Sequence, residues 1–268
     1  MTEALPPILL VGGGKMGGAM LAGWRERGMA PSVVIDPAPA AAALAGGAVQ
    51  VVTSAAEVPS GLRPAAVVLA VKPQTAADAI PPLAPLIGDA VVLSIMAGKT
   101  VSGIGGLVGR AAPIVRAMPN TPAAVRQGIT VAFAGSGVSA AQRGLCDTLL
   151  QAIGQVAWVE DEGLIDPVTA VSGGGPAYVF LLAEVMEQAA IEQGIPKALA
   201  RQLARATVSG SGALLAASEQ DAAELRVAVT SPGGTTQRAL AVLMEAWPGL
   251  MSRAIAAATE RSRELAGG

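Results

Sequence analysis

Gly12-Gly13-Gly14-Lys15-Met16-Gly17 follows an apolar run, Ile8 to Val11, and leads into an amphipathic pattern, Met16 to Arg27. The stretch satisfies G-x-G-x-x-G with a strand before it and a helix after it, the context in which that pattern marks a dinucleotide site. Glycines permit the tight turn and a close backbone approach to a pyrophosphate. The helix start supplies free N–H donors and the positive end of its dipole. An ordinary glycine-rich turn is the competing reading. Gly12, Gly14, Lys15, Met16 and Gly17 are the first candidate cofactor contacts.

Outward from that loop, short Val- and Ile-rich runs recur. They are Ile8 to Val11, Val33 to Ile35, Val49 to Val52, Ala66 to Val71, Ala90 to Ile95, Pro113 to Arg116, Ile129 to Phe133 and Val156 to Val159. Continuous apolar runs separated by helical segments predict a parallel sheet covered on both faces, an α/β doubly wound domain over residues 1–161. After Asp161 the helical period takes over. Ala177 to Gln193 places Val179, Leu182, Val185, Met186 and Ala189 on one side, and further helices are expected over Lys197 to Ser218, Ala222 to Val229, Thr235 to Trp247 and Gly249 to Leu265. Residues 162–268 therefore read as an all-helical second domain. Within it, Ser209-Gly210-Ser211-Gly212 is either a break in a helix or a close helix-to-helix contact, in one chain or between subunits.

Composition deletes several mechanisms. Among 268 residues there is no histidine, one cysteine, and only two Phe, three Trp and one Tyr. A Ser-His-Asp triad, a His-ligated metal and an intrachain disulfide are thereby excluded. Cys146 reads as a small buried hydrophobe, with no histidine to activate it. A net charge of −2 and so few aromatics supply neither a basic face nor a stacking platform, so nucleic acid is not an expected partner. Mean hydropathy is +0.53. Yet the uncharged run 37–56 contains Pro37, Pro39, Gly46 and Gly47 and reads as a short helix, a turn and a buried strand rather than a membrane span. Glu3 near the start and the brevity of the first apolar run argue against a secretory signal, so a cytoplasmic protein is expected.

Asp36 ends the second expected strand, about twenty positions beyond the last glycine, where a carboxylate bonds the adenosine ribose and repels a 2′-phosphate. Pro37 to Gly47 contain no Lys or Arg, and the pair of observations leans towards NADH over NADPH. Capping of the next helix is the alternative role for Asp36. Gly98-Lys99-Thr100 looks like the end of a P-loop, but its first glycine would fall at Leu93. Polar residues at strand exits are natural contacts in such a sheet, which nominates Ala70-Val71-Lys72-Pro73, Ser94, and Met118-Pro119-Asn120-Thr121-Pro122, with Asn120 and Thr121 the candidate contacts. Lys72 reads equally as a solvated charge, and Asn120 as a turn residue bonding its own backbone. Ser172-Gly173-Gly174-Gly175-Pro176-Ala177-Tyr178 and Ser231-Pro232-Gly233-Gly234-Thr235-Thr236 each precede a helix. The second exposes N–H groups and two hydroxyls suited to a carboxylate, or else Thr235 simply caps.

Together GGGKMG at 12–17, AVKP at 70–73, RAMPNTP at 116–122, AVSGGGPAY at 170–178 and ELRVAVTSPGGTTQRAL at 224–240 resemble the pyrroline-5-carboxylate reductases, in the family's order and across nearly the whole chain. The resemblance implies a Rossmann domain followed by a helical domain for substrate binding and dimerisation. It implies reduction of the cyclic imine of Δ1-pyrroline-5-carboxylate to L-proline by NAD(P)H, the last step of proline biosynthesis, in a homodimer or higher homo-oligomer. It also implies that the Thr236 hydroxyl approaches the imine nitrogen, that Ser231, Gly233, Gly234, Thr235 and Thr236 hold the substrate carboxylate, and that Asn120, Thr121, Gly175 and Pro176 lie around the nicotinamide. Glu219 is a further candidate as a substrate-proximal acid. Asp36-Pro37-Ala38 stands where NADPH-preferring members tend to carry small hydroxyl residues, in accord with the NADH lean.

Two competing readings differ in class. A β-hydroxyacid dehydrogenase resemblance would need a lysine four residues after a central glycine-rich motif, but counting from Gly175 reaches Val179, and the nearest lysine downstream is Lys197. A non-enzymatic dinucleotide-sensing dimer would leave the SPGGTT helix start without a use.

Overall fold

Alternation along the first strand explains the layers. In β1 (Ile8–Val11) Ile8 and Leu10 enter one apolar cluster while Leu9 and Val11 enter another, so the strand is buried from both sides. The computed structural model describes residues 4–109 and 111–266; Glu3 lies outside them. Seven more strands complete one sheet: β2 (Ser32–Ile35), β3 (Val49–Val52), β4 (Ala66–Leu69), β5 (Val91–Ser94), β6 (Ile114–Met118), β7 (Gly128–Ala134) and β8 (Gly154–Val159). Their order is β3-β2-β1-β4-β5-β6-β7-β8, the doubly wound arrangement with two added strands. On one face α1 (Lys15–Glu26) and α5 (Ala140–Gln151) cover the sheet, and Trp24 joins them by donating its indole N–H to the Leu149 carbonyl at 2.9 Å. On the other lie α2 (Ala76–Ala79), α3 (Ala84–Ile87) and α4 (Val101–Val108).

The expectation of a parallel sheet is corrected at one place, because β7 pairs antiparallel with β6. Only residues 119–127 separate the two strands. A parallel return needs a crossover of about a dozen residues or more, so a connection this short forces the reversal. The run 37–56 forms a 3-10 helix, Pro39–Leu44, and then β3.

The chain after β8 begins with α6 (Ile165–Val168) and a π-helical turn, Thr169–Gly173. Then follow α7 (Gly175–Glu192), α8 (Lys197–Ala217), α9 (Ala222–Ala228) and α10 (Thr235–Ala266). One expectation fails here, and one of two alternative readings is excluded. The helices expected on either side of Pro248 are one, since Pro248 lies inside α10. The bond it cannot donate, to the Met244 carbonyl, falls where the side chain is half exposed, so water can satisfy that oxygen. Ser209 to Gly212 do not break α8, and a Cβ on Gly210 or Gly212 would meet nothing within 4 Å.

Contacts divide the chain into two units. One runs to Gly173 and takes in the chain from Ala258 onward; the other is Gly174–Ala257. The boundary read at 161 marks where strands end, whereas Glu162 and Asp166 still pair with the sheet residue Arg116. The second unit buries Ala200 and Ala204 but leaves Phe180 67% and Val242 71% exposed. Glu162–Glu192 is long and apolar enough to cross a membrane by length and composition, and 6% of its most apolar 18-residue stretch is buried.

Candidate functional site

Each glycine of the first loop meets a different demand. Gly12 has φ +97°, and a Cβ there would lie 2.7 Å from the Ala70 carbonyl oxygen. A Cβ on Gly17 would run into the Gly12 carbonyl oxygen, so α1 seats directly on the loop. At Gly14 a Cβ would meet nothing within 4 Å. That glycine is not needed by the protein's own packing, and it leaves room where a phosphate would approach. Gly14 caps α1 without a side-chain bond, and the N–H groups of Lys15, Met16 and Gly17 have no partner among the described residues. Donors, dipole and space fit a dinucleotide pyrophosphate.

Asp36 ties this loop to the end of β2. Its Oδ2 accepts from Gly13 N–H at 2.7 Å and its Oδ1 from Ala38 N–H at 2.9 Å. An ionised carboxylate has about four acceptor positions, so two remain. The helix cap falls on Ala38, not Asp36. Arg25, the cation that reaches the following segment, donates to the carbonyls of Leu44 and Gly46.

Strand exits meet at a cleft of about 290 Å³ within the first unit. Met16, Ala70, Val71, Lys72, Pro73, Asn120 and Thr121, all nominated by the sequence, line it. Asn120 is 9% exposed, and its Oδ1 accepts from Ile129 N–H at 2.9 Å. This bond spans a loop rather than closing on its own turn, and it leaves the amide NH2 as the donor. Ser94 does not reach the cleft: it is fully buried, and its hydroxyl oxygen accepts from Met96 N–H. Met118 and Gly173, from the two quoted segments 118–122 and 172–178, also line the cleft, as do Ile95 and Met96, which were not singled out although the strand-exit rule covers them.

A buried ionic cluster also escaped the sequence reading. Arg116, 2% exposed, donates to Glu162 at 3.1 Å and lies 3.6 Å from Asp166, which accepts from Ser262 Oγ at 2.8 Å. An arginine inside the apolar run Pro113 to Ala117 was its signal, since a buried arginine requires partners. Cys146 is fully buried, and burial pushes its thiol up to about 12, which leaves no nucleophile at neutral pH.

In the second unit, α9 ends and the chain turns through Ser231–Gly234 into α10. Gly233 takes φ +72°, and its N–H donates to Gln237 Oε1 at 2.7 Å. Gly234 N–H donates to the Ser231 carbonyl at 3.1 Å, and a Cβ on Gly234 would lie 2.6 Å from Ser231 Oγ. Both glycine N–H groups are therefore engaged within the turn. Those of Thr235 and Thr236 have no partner among the described residues, and both side chains are exposed. Two N–H donors and a hydroxyl at a helix start suit a carboxylate and an adjacent polar atom. Glu219 is exposed between α8 and α9, and Gly175 and Pro176 form the first turn of α7.

Comparison with known proteins covers both units. The family described as pyrroline-5-carboxylate reductase dimerisation matches residues 162–265, and the family described as NADP oxidoreductase, coenzyme F420-dependent, matches residues 7–98. A pyrroline-5-carboxylate reductase of Pseudomonas aeruginosa is 39% identical over 267 residues, covering 97% of each chain. A solved pyrroline-5-carboxylate reductase of Coxiella burnetii shares 34% identity with a TM-score of 0.89 over 99% of both chains. A Plasmodium falciparum pyrroline carboxylate reductase, solved with NADP bound, shares 25% identity with a TM-score of 0.83 over 99% of both chains.

Proposed function

The chain belongs to the pyrroline-5-carboxylate reductases, and from that premise we propose how its residues divide the work. It is an NAD(P)H-dependent reductase of proline biosynthesis, acting on the cyclic imine of Δ1-pyrroline-5-carboxylate. The dehydrogenase and sensor readings are set aside by that membership.

Residues 1–161 serve as the cofactor half and residues 162–268 as the substrate and association half. Gly14, Lys15, Met16 and Gly17 cradle the pyrophosphate with backbone N–H groups, and Gly12, whose own N–H donates to the Ile35 carbonyl at 2.9 Å, makes the turn that lets it approach. Asp36 accepts from the adenosine ribose with its remaining lone pairs. With both oxygens already held by Gly13 and Ala38, its charge cannot turn aside, which supports NADH over NADPH. Ala70 to Pro73, Asn120 and Thr121 line the nicotinamide cleft of the first unit, and Gly175 and Pro176 at the start of α7 are the second unit's candidate contacts to the same cofactor. Ser94 supports the turn behind them.

The reduced nicotinamide, when bound, supplies the hydride that adds to the imine carbon as the nitrogen carries the balancing proton. Every other task is positioning. Thr235 and Thr236 hold the substrate carboxylate through their N–H groups, Ser231, Gly233 and Gly234 shape the turn that presents them, and the Thr236 hydroxyl orients the imine nitrogen. Glu219, exposed between α8 and α9 in the segment before this turn, is a further candidate for a substrate-proximal acid. The observation that carries the assignment is the pair of unpartnered N–H groups beside an exposed hydroxyl at the start of α10.

The exposed apolar residues of α7, α8 and α10 support a homodimer or larger homo-oligomer, with a second copy rather than lipid covering Glu162–Glu192, in the cytoplasm. Loss of NADH absorbance on adding pyrroline-5-carboxylate tests the reaction, run beside NADPH. Thr236→Ala tests the site: a lower turnover and weaker imine affinity are expected. Wild-type values for both would remove Thr236 from the mechanism.

A further inference from the structure

Arg126 has φ +62°, the one positive φ at a non-glycine position among the described residues. A glycine would take this conformation without strain. A strained backbone that persists points to a function for the side chain held there.

That side chain joins two elements of the first unit. Its Nε donates to Glu26 Oε2 at 3.0 Å and its Nη2 to Glu26 Oε1 at 2.7 Å, a two-pronged pair. Its Nη1 lies 3.3 Å from both the Ala19 carbonyl of α1 and the Ala123 carbonyl of the 3-10 turn Thr121–Val125. The same segment is closed at its base by Asn120 accepting from Ile129 N–H. The guanidinium thus links the helix that starts at the glycine loop to the turn that carries Asn120 and Thr121.

We propose that Arg126 is a positioning residue, clamping the Asn120–Thr121 segment to α1 and so setting one wall of the cofactor cleft. This rests on the reading of that cleft as the nicotinamide site. Stability does not account for the residue: the Glu26 carboxylate is 65% exposed, exposed ion pairs contribute little, and the backbone conformation opposes arginine. The pair also holds the Glu26 carboxyl below its ordinary range and raises the Arg126 guanidinium above its own, each through their mutual hydrogen bond.

Arg126→Gly relieves the backbone while deleting the clamp. The expected result is a melting temperature at or above wild type, with KM for NADH raised about tenfold and KM for the imine unchanged, since small losses of positioning have such effects. Arg126→Lys keeps the charge but not the fork, and should restore only part of the cofactor affinity. Wild-type KM for NADH and wild-type kcat in Arg126→Gly would overturn the proposal. So would a lower melting temperature with unchanged kinetics of the folded enzyme, which would make Arg126 purely structural. If Arg126→Gly does not fold, Glu26→Ala at the exposed end of α1 decides: a raised KM for NADH supports the clamp, and no change refutes it. Asn120→Ala separates the two levels. Unchanged cofactor kinetics there would refute the cleft assignment and the clamp with it, whereas raised KM in Asn120→Ala beside wild-type Arg126→Gly would refute the clamp alone.

Discussion

Replacing Asp36 by serine should move cofactor preference towards NADPH by about thirtyfold. Both carboxylate oxygens are fixed by backbone N–H groups, at 2.7 Å from Gly13 and 2.9 Å from Ala38, so the negative charge stays at the end of β2 whichever cofactor arrives. Two unit charges 4 Å apart interact by about 1 kcal/mol in water and about 4 kcal/mol at an effective dielectric of 20. Asp36 is half-buried, and about 2 kcal/mol between those limits corresponds to about thirtyfold in relative kcat/KM. Serine can accept one of the two N–H bonds, so the loop should lose about 1–2 kcal/mol of stability at most, water reaching the other donor. The assay is initial-rate reduction of pyrroline-5-carboxylate with each cofactor, on enzyme whose folding has been checked by melting. The ratio of kcat/KM for NADPH over NADH should rise, and the wild-type ratio should lie below one. A variant ratio within threefold of wild type, or a wild-type enzyme that prefers NADPH tenfold, would refute the electrostatic reasoning.

Two glycines should respond oppositely to alanine. Gly12→Ala combines a positive φ with a Cβ 2.7 Å from a backbone oxygen and should cost about 3 kcal/mol in thermal unfolding. Gly173→Ala is crowded by Met118 Cε, also at 2.7 Å, while Thr169 Cγ2 at 3.5 Å is an ordinary contact; the methionine tip is flexible and can swing away, so the effect should stay within about 1 kcal/mol. Denaturant unfolding across pH should report Cys146. Burial pushes its thiol from an ordinary 9.0 up to about 12 in the folded chain, so the unfolded chain loses its proton first. Its stabilisation is present in full below pH 9 and falls by about 1.4 kcal/mol per unit as pH rises towards the folded value. Cys146→Ala should flatten that slope. Phe180→Glu, on the exposed face of α7, should lower the mass found by light scattering to that of one chain; unchanged assembly would show that the face is not the interface.

Strand positions were legible because burial from both sides leaves continuous Val and Ile runs, and all eight expected runs overlap strands of the sheet. Strand direction is a tertiary property, yet the reversal at β7 was within reach, since the expected runs ending at Arg116 and starting at Ile129 leave little room for a crossover. Proline was overread at 248: it removes one bond from a helix, and α10 continues because the rest of that helix supplies bonds on both sides. Ser94 was nominated by the strand-exit rule, but residues alternate faces, and exit position alone does not say which way a hydroxyl turns. Arg126 gave no local signal at all, because its αL conformation and its clamp depend on Glu26, a hundred residues earlier in the chain.

The chemistry and the composition constrain each other. A chain without histidine that reduces an imine must place its selectivity in fixed dipoles and charges rather than in a titrating side chain near neutral pH. The described residues meet that demand with backbone: free N–H groups at the start of α1 and at the start of α10, and a carboxylate locked by two N–H bonds at the end of β2. Backbone N–H groups carry no proton that titrates between pH 6 and 8. The dependence of kcat/KM on pH across that interval should therefore follow the protonation of the imine itself, and substituting Thr236 should lower the whole profile without moving its midpoint. A midpoint that moved with Thr236→Ala would mean that the protein, not the substrate, carries the titrating group.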